Sequence, residues 1–277
     1  MSVDRPVAPL RHCSLAVAVS LLSGCVTLHN TDAFPVPAEI VDVDRARLLA
    51  YGEVTPLTLS TVDRKIAAYR LRVPGSRGAI VFYGGSGNDT EVQLRALGPR
   101  AAALHLDVFV FSYYVRGEPP PSVAAVRALS MAVCMASTKA ATGPTFAVGH
   151  SLGAWFAADV ARACPVAGLM LVAPETTPVE VIHATLPISH LSVLRLDSDM
   201  KQLDASALAP RVAVKTLVVS SASDRDVPAS ISRRVFDDVP PGLPKRFELL
   251  PNSSHAGYFQ DERLWRVFAE FFGLSED

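Results

Sequence analysis

Four cysteines in 277 residues, a formal net charge of only −1 and no cluster of lysine or arginine are what this chain has little of, and each narrows the function. With 26 basic against 27 acidic residues and no basic stripe, nothing offers a phosphate backbone a footing, so nucleic acid is not an expected partner. The N-terminal apolar run, Leu15 to Leu22, is far short of the ~20 residues that a permanent membrane-spanning helix needs. No internal repeat is evident, which sets aside solenoids and arrays. What is present is ordinary for a globular protein: 49% hydrophobic residues, 16 Gly and 21 Pro, in a chain long enough to bury a full core as one large domain or two small ones.

Arg5, Arg11 and His12 precede the run from Leu15 to Leu22, the charge and length pattern of a secretory signal. The run ends in Leu22-Ser23-Gly24-Cys25, which resembles a bacterial lipobox. That resemblance implies a bacterial source, removal of residues 1–24 and lipid on Cys25; the plainer alternative is a signal peptide with a chance cysteine. Acyl chains on Cys25 would hold the protein to a membrane surface without threading it through. Val26, where an aspartate tends to mark inner-membrane retention, favours the outer membrane and a periplasm-facing domain. Residues 25–38, with Asn30, Thr31, Asp32, Pro35 and Pro37, read as a tether. Cys134 and Cys164 are then the remaining thiols. An oxidising compartment permits a bridge between them, and two buried free cysteines fit the sequence equally well.

The domain is expected over residues 39–277. Alternating stretches near Glu53 to Thr61 and Lys65 to Val73 read as antiparallel strands, and the all-apolar run Ala79 to Tyr83 as a strand buried on both faces. From there helices (Glu91 to Leu104, Ser122 to Ala140, one from Leu152, Ala229 to Val235, Asp261 to Phe272) alternate with strands. The strands are Asp107 to Tyr113, Thr145 to Gly149, Val166 to Val172, Ala213 to Ser220 and Lys245 to Leu250. That rhythm predicts an α/β fold: a mostly parallel central sheet with antiparallel N-terminal strands, helices on both faces. Residues 174–210 break it, on the side where ligands of open α/β sheets bind, and read as a lid or as a crossover helix with irregular flanks.

The most telling stretch is Gly149-His150-Ser151-Leu152-Gly153, placed between an apolar strand and an Ala-rich helix. A serine on so sharp a turn is pushed out of the sheet, and the flanking glycines let backbone pack where a Cβ would clash. An alcohol needs a base and a group to orient it. His255, in the loop before the last helix, is the candidate base. His150 is set aside as pointing elsewhere on a tight turn. The acid is expected in the exit loop Ser221 to Pro228: Asp224 is the choice, Asp226 the rival, and Asp197 and Asp199 are weaker because they fall in the lid segment. Each aspartate has a plainer reading as a helix cap. The N–H of Leu152 and that of Gly85, in the loop Tyr83-Gly84-Gly85-Ser86-Gly87-Asn88, are the candidate oxyanion donors. The same loop lacks the lysine and glycine spacing of a phosphate-binding loop. Tyr83 and Trp155 are candidate pocket residues; Trp155 and Phe156, at helical spacing, also read as plain core.

The order Ser151, Asp224, His255 behind a Gly-rich loop resembles the α/β-hydrolase superfamily over nearly all of residues 50–277, and within it the small-lid serine hydrolases. Two departures are Tyr83, where many relatives have histidine, and Ser221, where relatives usually have glycine. The resemblance implies cleavage of small carboxylic esters or thioesters through an acyl-enzyme, with no metal or organic cofactor. Peptidase or acyltransferase chemistry on the same triad, and a non-catalytic lipoprotein that binds a ligand or partner on the same scaffold, remain the alternatives.

Overall fold

The computed structural model describes residues 25–29, 34, 44–60, 65–87, 89–114, 119–185 and 193–274. The expected signal peptide, residues 1–24, lies outside them, as does the side chain of Cys25. The sheet expected from the sequence is the one observed. Its strands are β2 (Glu53–Ser60), β3 (Lys65–Arg72), β4 (Gly78–Tyr83), β5 (Leu106–Phe111), β6 (Thr145–His150), β7 (Gly168–Val172), β9 (Thr216–Ser221) and β10 (Lys245–Leu250), with β1 (Cys25–Leu28) and β8 (Val193–Leu196) forming a separate pair. They lie in the order β10-β9-β7-β6-β4-β5-β3-β2. β3 is antiparallel to both β2 and β5, and the remaining pairings are parallel.

Strand alternation explains why the central strands are apolar throughout. In β4, Ala79, Val81 and Tyr83 enter one core cluster and Ile80 and Phe82 the other. The first cluster is closed by α3 (Val123–Ala140) and α4 (Leu152–Val160), the second by α2 (Thr90–Ala103), which follows the single turn α1 (Arg45–Leu48), and by α8 (Glu262–Phe272), which follows α7 (Ala229–Asp238). Helix starts follow local chemistry: Asp89 accepts from the N–H groups of Glu91 and Val92, Ser122 from Ala125 and Asp261 from Arg263. α4 differs, because Ser151 stands at its N-cap and its hydroxyl makes no capping bond. Cys134 of α3 and Cys164, just beyond α4, form a disulfide with Cα atoms 6.3 Å apart, which decides the alternative that the sequence left open.

Two parts of the expected tether are packed on the domain. β1 pairs in parallel with β8, Cys25 opposite Val193, and Phe34 is buried against Tyr113 and Phe156. The expected lid carries α5 (Pro178–Thr185), β8 and α6 (Ala205–Leu208). Its two aspartates hold structure: Asp197 bonds His29 at 3.1 Å, and Asp199 accepts the N–H of Val123 at 2.7 Å, at the start of α3.

Candidate active site

The site lies where β4, β6, β7 and β9 end. Ser151 has φ 54° and ψ −128°, a left-handed backbone that a non-glycine residue adopts only where its surroundings enforce it. The flanking glycines are required by contact: a Cβ on Gly149 would stand 2.5 Å from the Ala154 Cα, and one on Gly153 would stand 2.1 Å from the Tyr83 carbonyl oxygen. The elbow is therefore wedged against the Gly-rich loop after β4. A Cβ on Gly85 would lie 3.1 Å from the Ser151 Cβ, so that loop and the first turn of α4 flank the serine together. These are the places of Gly85 and Leu152.

Asp224, not Asp226, holds His255. The His255 Nδ1–Asp224 Oδ2 distance is 2.9 Å, and the Tyr258 hydroxyl donates to the same oxygen at 2.9 Å. Oδ1 accepts the N–H groups of Asp226 and Val227, each at 2.9 Å. Ligand atoms of Asp224, Asp226 and His255 lie within 4.8 Å of one another, but both Asp224 oxygens are already occupied by these donors, and Asp226 is exposed. Burial pushes the Asp224 carboxyl up, and the bonds from His255, Val227 and Tyr258 outweigh it, holding the group below 3.8. Burial pulls the His255 imidazole down; the Asp224 bond and charge, with smaller help from Asp226 and Glu175, outweigh that and raise it above 6.5. With Asp224 on Nδ1, the neutral ring keeps its proton there and leaves Nε2 as the acceptor.

Three contributors escaped the sequence reading. Tyr258 is one. His150 is another: its Nε2 lies 3.0 Å from the His255 carbonyl oxygen and its ring centroid 4.7 Å from that of His255, so it braces the loop. Burial and the neighbouring His255 pull the His150 imidazole down to about 3, so it stays neutral near pH 7. The third is Glu175, just past β7, whose Oε1 accepts the Ser151 hydroxyl at 2.7 Å. Burial raises the Glu175 carboxyl above 4.5, and the Ser151 bond offsets part of that.

A cavity of about 260 Å³ opens at Ser151, His150 and His255, walled by Phe82, Gly84 to Gly87, Val92, Ala96, Leu97 and Phe259. Gln93 also lines it, and its buried Oε1 has no hydrogen-bond partner among the described residues. Tyr83 and Trp155 are not pocket residues. Tyr83 lies on the opposite face of β4 from Phe82, fully buried against Phe111, and Trp155 packs in the α3–α4 core under Arg127. The parity of the strand, one residue out, carries Tyr83 away from the cavity.

No protein-family model matches the chain, and no curated protein sequence matches it. Its coordinates are similar to several solved structures. An esterase from Pyrococcus furiosus matches with TM-score 0.68 at 13% identity, over 87% of this chain and 97% of its own. A thermophilic esterase from Thermogutta terrifontis matches with TM-score 0.58 at 15% identity, over 80% and 98%. A dienelactone hydrolase from Anabaena variabilis matches with TM-score 0.55 at 14% identity, over 79% and 94%. The chain has the α/β-hydrolase fold.

Proposed function

We propose that the protein is a serine hydrolase that cleaves carboxylic esters or thioesters through an acyl-enzyme. The observation that carries this reading is the His255–Asp224 pair beside a serine held at a left-handed elbow, above a largely apolar cavity. Ser151 Oγ adds to the ester carbonyl carbon as its proton passes to His255 Nε2. The oxyanion is met by the N–H groups of Gly85 and Leu152, each of a kind that contributes about 3 kcal/mol to such a transition state. His255 returns the proton to the leaving alcohol or thiol as its bond to the carbonyl breaks, and water, activated by the same imidazole, releases the acid.

The run Leu15 to Leu22 and the sequence Leu22 to Cys25 support export and lipid attachment at Cys25, with the domain facing the periplasm from the outer membrane; the disulfide suits an oxidising compartment. A fluorophosphonate probe is expected to label the wild type and not Ser151→Ala, and turnover of short-chain p-nitrophenyl esters is expected to vanish in His255→Ala. A folded wild type that takes no label defeats the reading. The bond from Ser151 to Glu175 favours a second one, a binding protein on the same scaffold, and His255-dependent turnover eliminates it.

A further inference from the structure

Serine has one hydroxyl proton, and Ser151 gives it to Glu175 at 2.7 Å; no hydrogen bond joins it to His255. The backbone enforces this arrangement. Ala173, at the end of β7, has φ 47°, and its N–H is fixed to the Val219 carbonyl at 2.8 Å; the Ser151 N–H is fixed to the Val172 carbonyl at 2.9 Å. Two left-handed residues on adjacent strand ends therefore turn Glu175 and Ser151 toward each other. Three buried acids have an arginine: Asp107 has Arg70, Asp159 has Arg127 and Arg162, and Glu248 has Arg246 and Arg263, while the buried Asp224 has His255. Glu175 has no ion pair among the described residues, and it is part-exposed at the site.

A carboxylate here opposes the reaction as drawn. It holds the proton that His255 must take, and its charge is of the wrong sign beside a developing oxyanion. A cation on the substrate reverses both effects: it draws the carboxylate into an ion pair and frees the hydroxyl for His255. Reach agrees with this. Attack brings the carbonyl carbon to about 3 Å from the serine oxygen, so a charged amine on the next carbon comes within the ~4 Å of an ion pair with an oxygen that touches the same hydroxyl. The apolar cavity is left for the uncharged remainder of the substrate.

We propose that Glu175 determines specificity, selecting esters whose acyl group carries a positively charged amine on the carbon next to the scissile carbonyl. This rests on the serine-hydrolase reading. The amine pairs with the carboxylate before attack, and no bond other than those already described is made or broken.

The test compares the p-nitrophenyl esters of alanine and of isobutyric acid, in which an ammonium replaces a methyl group, at pH 7 with the rate of Ser151→Ala subtracted. Wild type is expected to favour the alanyl ester by about tenfold or more in kcat/KM. Glu175→Gln, which keeps the side chain's size, is expected to lower that ratio by about tenfold, slowing the alanyl ester and speeding the isobutyryl one, and to leave only the preference that comes from the ammonium's own activation of its ester. If that variant does not fold, protection of wild-type Ser151 from the fluorophosphonate by alaninamide, against isobutyramide, reads the same preference. A ratio unmoved by Glu175→Gln, equal protection by the two amides, or a wild type that favours the isobutyryl ester overturns the inference. In that case labelling of Ser151 in the same sample leaves the hydrolase reading standing, whereas absence of labelling removes both.

Discussion

Reduction of the Cys134–Cys164 bridge is expected to cost the fold several kilocalories and the chemistry almost nothing. The two cysteines are 30 residues apart, and the loop-closure entropy that such a link removes from the unfolded chain corresponds to about 3.6 kcal/mol at 25 °C. Both residues are buried in the core beneath α3 and α4, so reduced thiols still fill the space and no cavity penalty is added. Against a typical domain stability of about 5–15 kcal/mol this is a large fraction. Urea unfolding of the oxidised and reduced protein, followed by circular dichroism, measures the difference. The slope is expected to steepen on reduction because the unfolded chain expands. A chain of this size loses about 2–4 °C of Tm per kilocalorie, so the reduced form should melt roughly 7–15 °C lower. At 25 °C ester turnover should persist, because the strand ends that hold Ser151, Asp224 and His255 do not depend on the link. Equal stability of the two forms would refute the entropy argument. Turnover lost from a reduced protein that is still folded would show that the bridge shapes the elbow at the start of α4.

Two further outcomes follow from the geometry. His255 must be neutral to accept the serine proton, and its value is raised above 6.5, so kcat/KM should climb with pH along a limb centred above that point. In Asp224→Asn the charge that raises it is gone: the limb should move to lower pH while the plateau falls by about 10⁴-fold, and a limb that stays in place in the pH–rate profile contradicts the pairing. Gly153→Ala would put a Cβ 2.1 Å from the Tyr83 carbonyl and 2.3 Å from that of Gly84. It should lose about 1–3 kcal/mol or more in thermal unfolding and also slow turnover by displacing the Gly-rich loop, and an unchanged variant argues against the close approach.

What was legible in the sequence was whatever is set by neighbours along the chain. Alternation placed the strands, Gly149 and Gly153 marked the elbow, and the loop from Ser221 to Pro228 could be located because it had to leave a strand before His255. The choice between Asp224 and Asp226 lay at the edge of that reasoning, and the backbone decides it: the turn at Asp226 and Val227 points their N–H groups back at Asp224, which fixes that carboxylate under His255. Tyr83 was misplaced because period two assigns faces only relative to one another. Nothing local says which face of β4 looks into the cavity. The pairing of β1 with β8 joins segments some 168 residues apart in register, beyond any local rule.

Glu175 is the instructive omission. A lone acid after a proline carries no sequence signal, and its approach to Ser151 depends on Ala173 adopting a backbone that alanine normally avoids. The groups that would perform ester cleavage descend from local grammar, strand, turn, helix and exit loop, and so they can be read from the chain. The carboxylate proposed to choose among esters arises from two strand ends meeting in space. Selectivity is therefore where sequence reasoning stops and where coordinates add most, and it is also where a single isosteric substitution, Glu175→Gln, separates charge recognition from the scaffold that carries it.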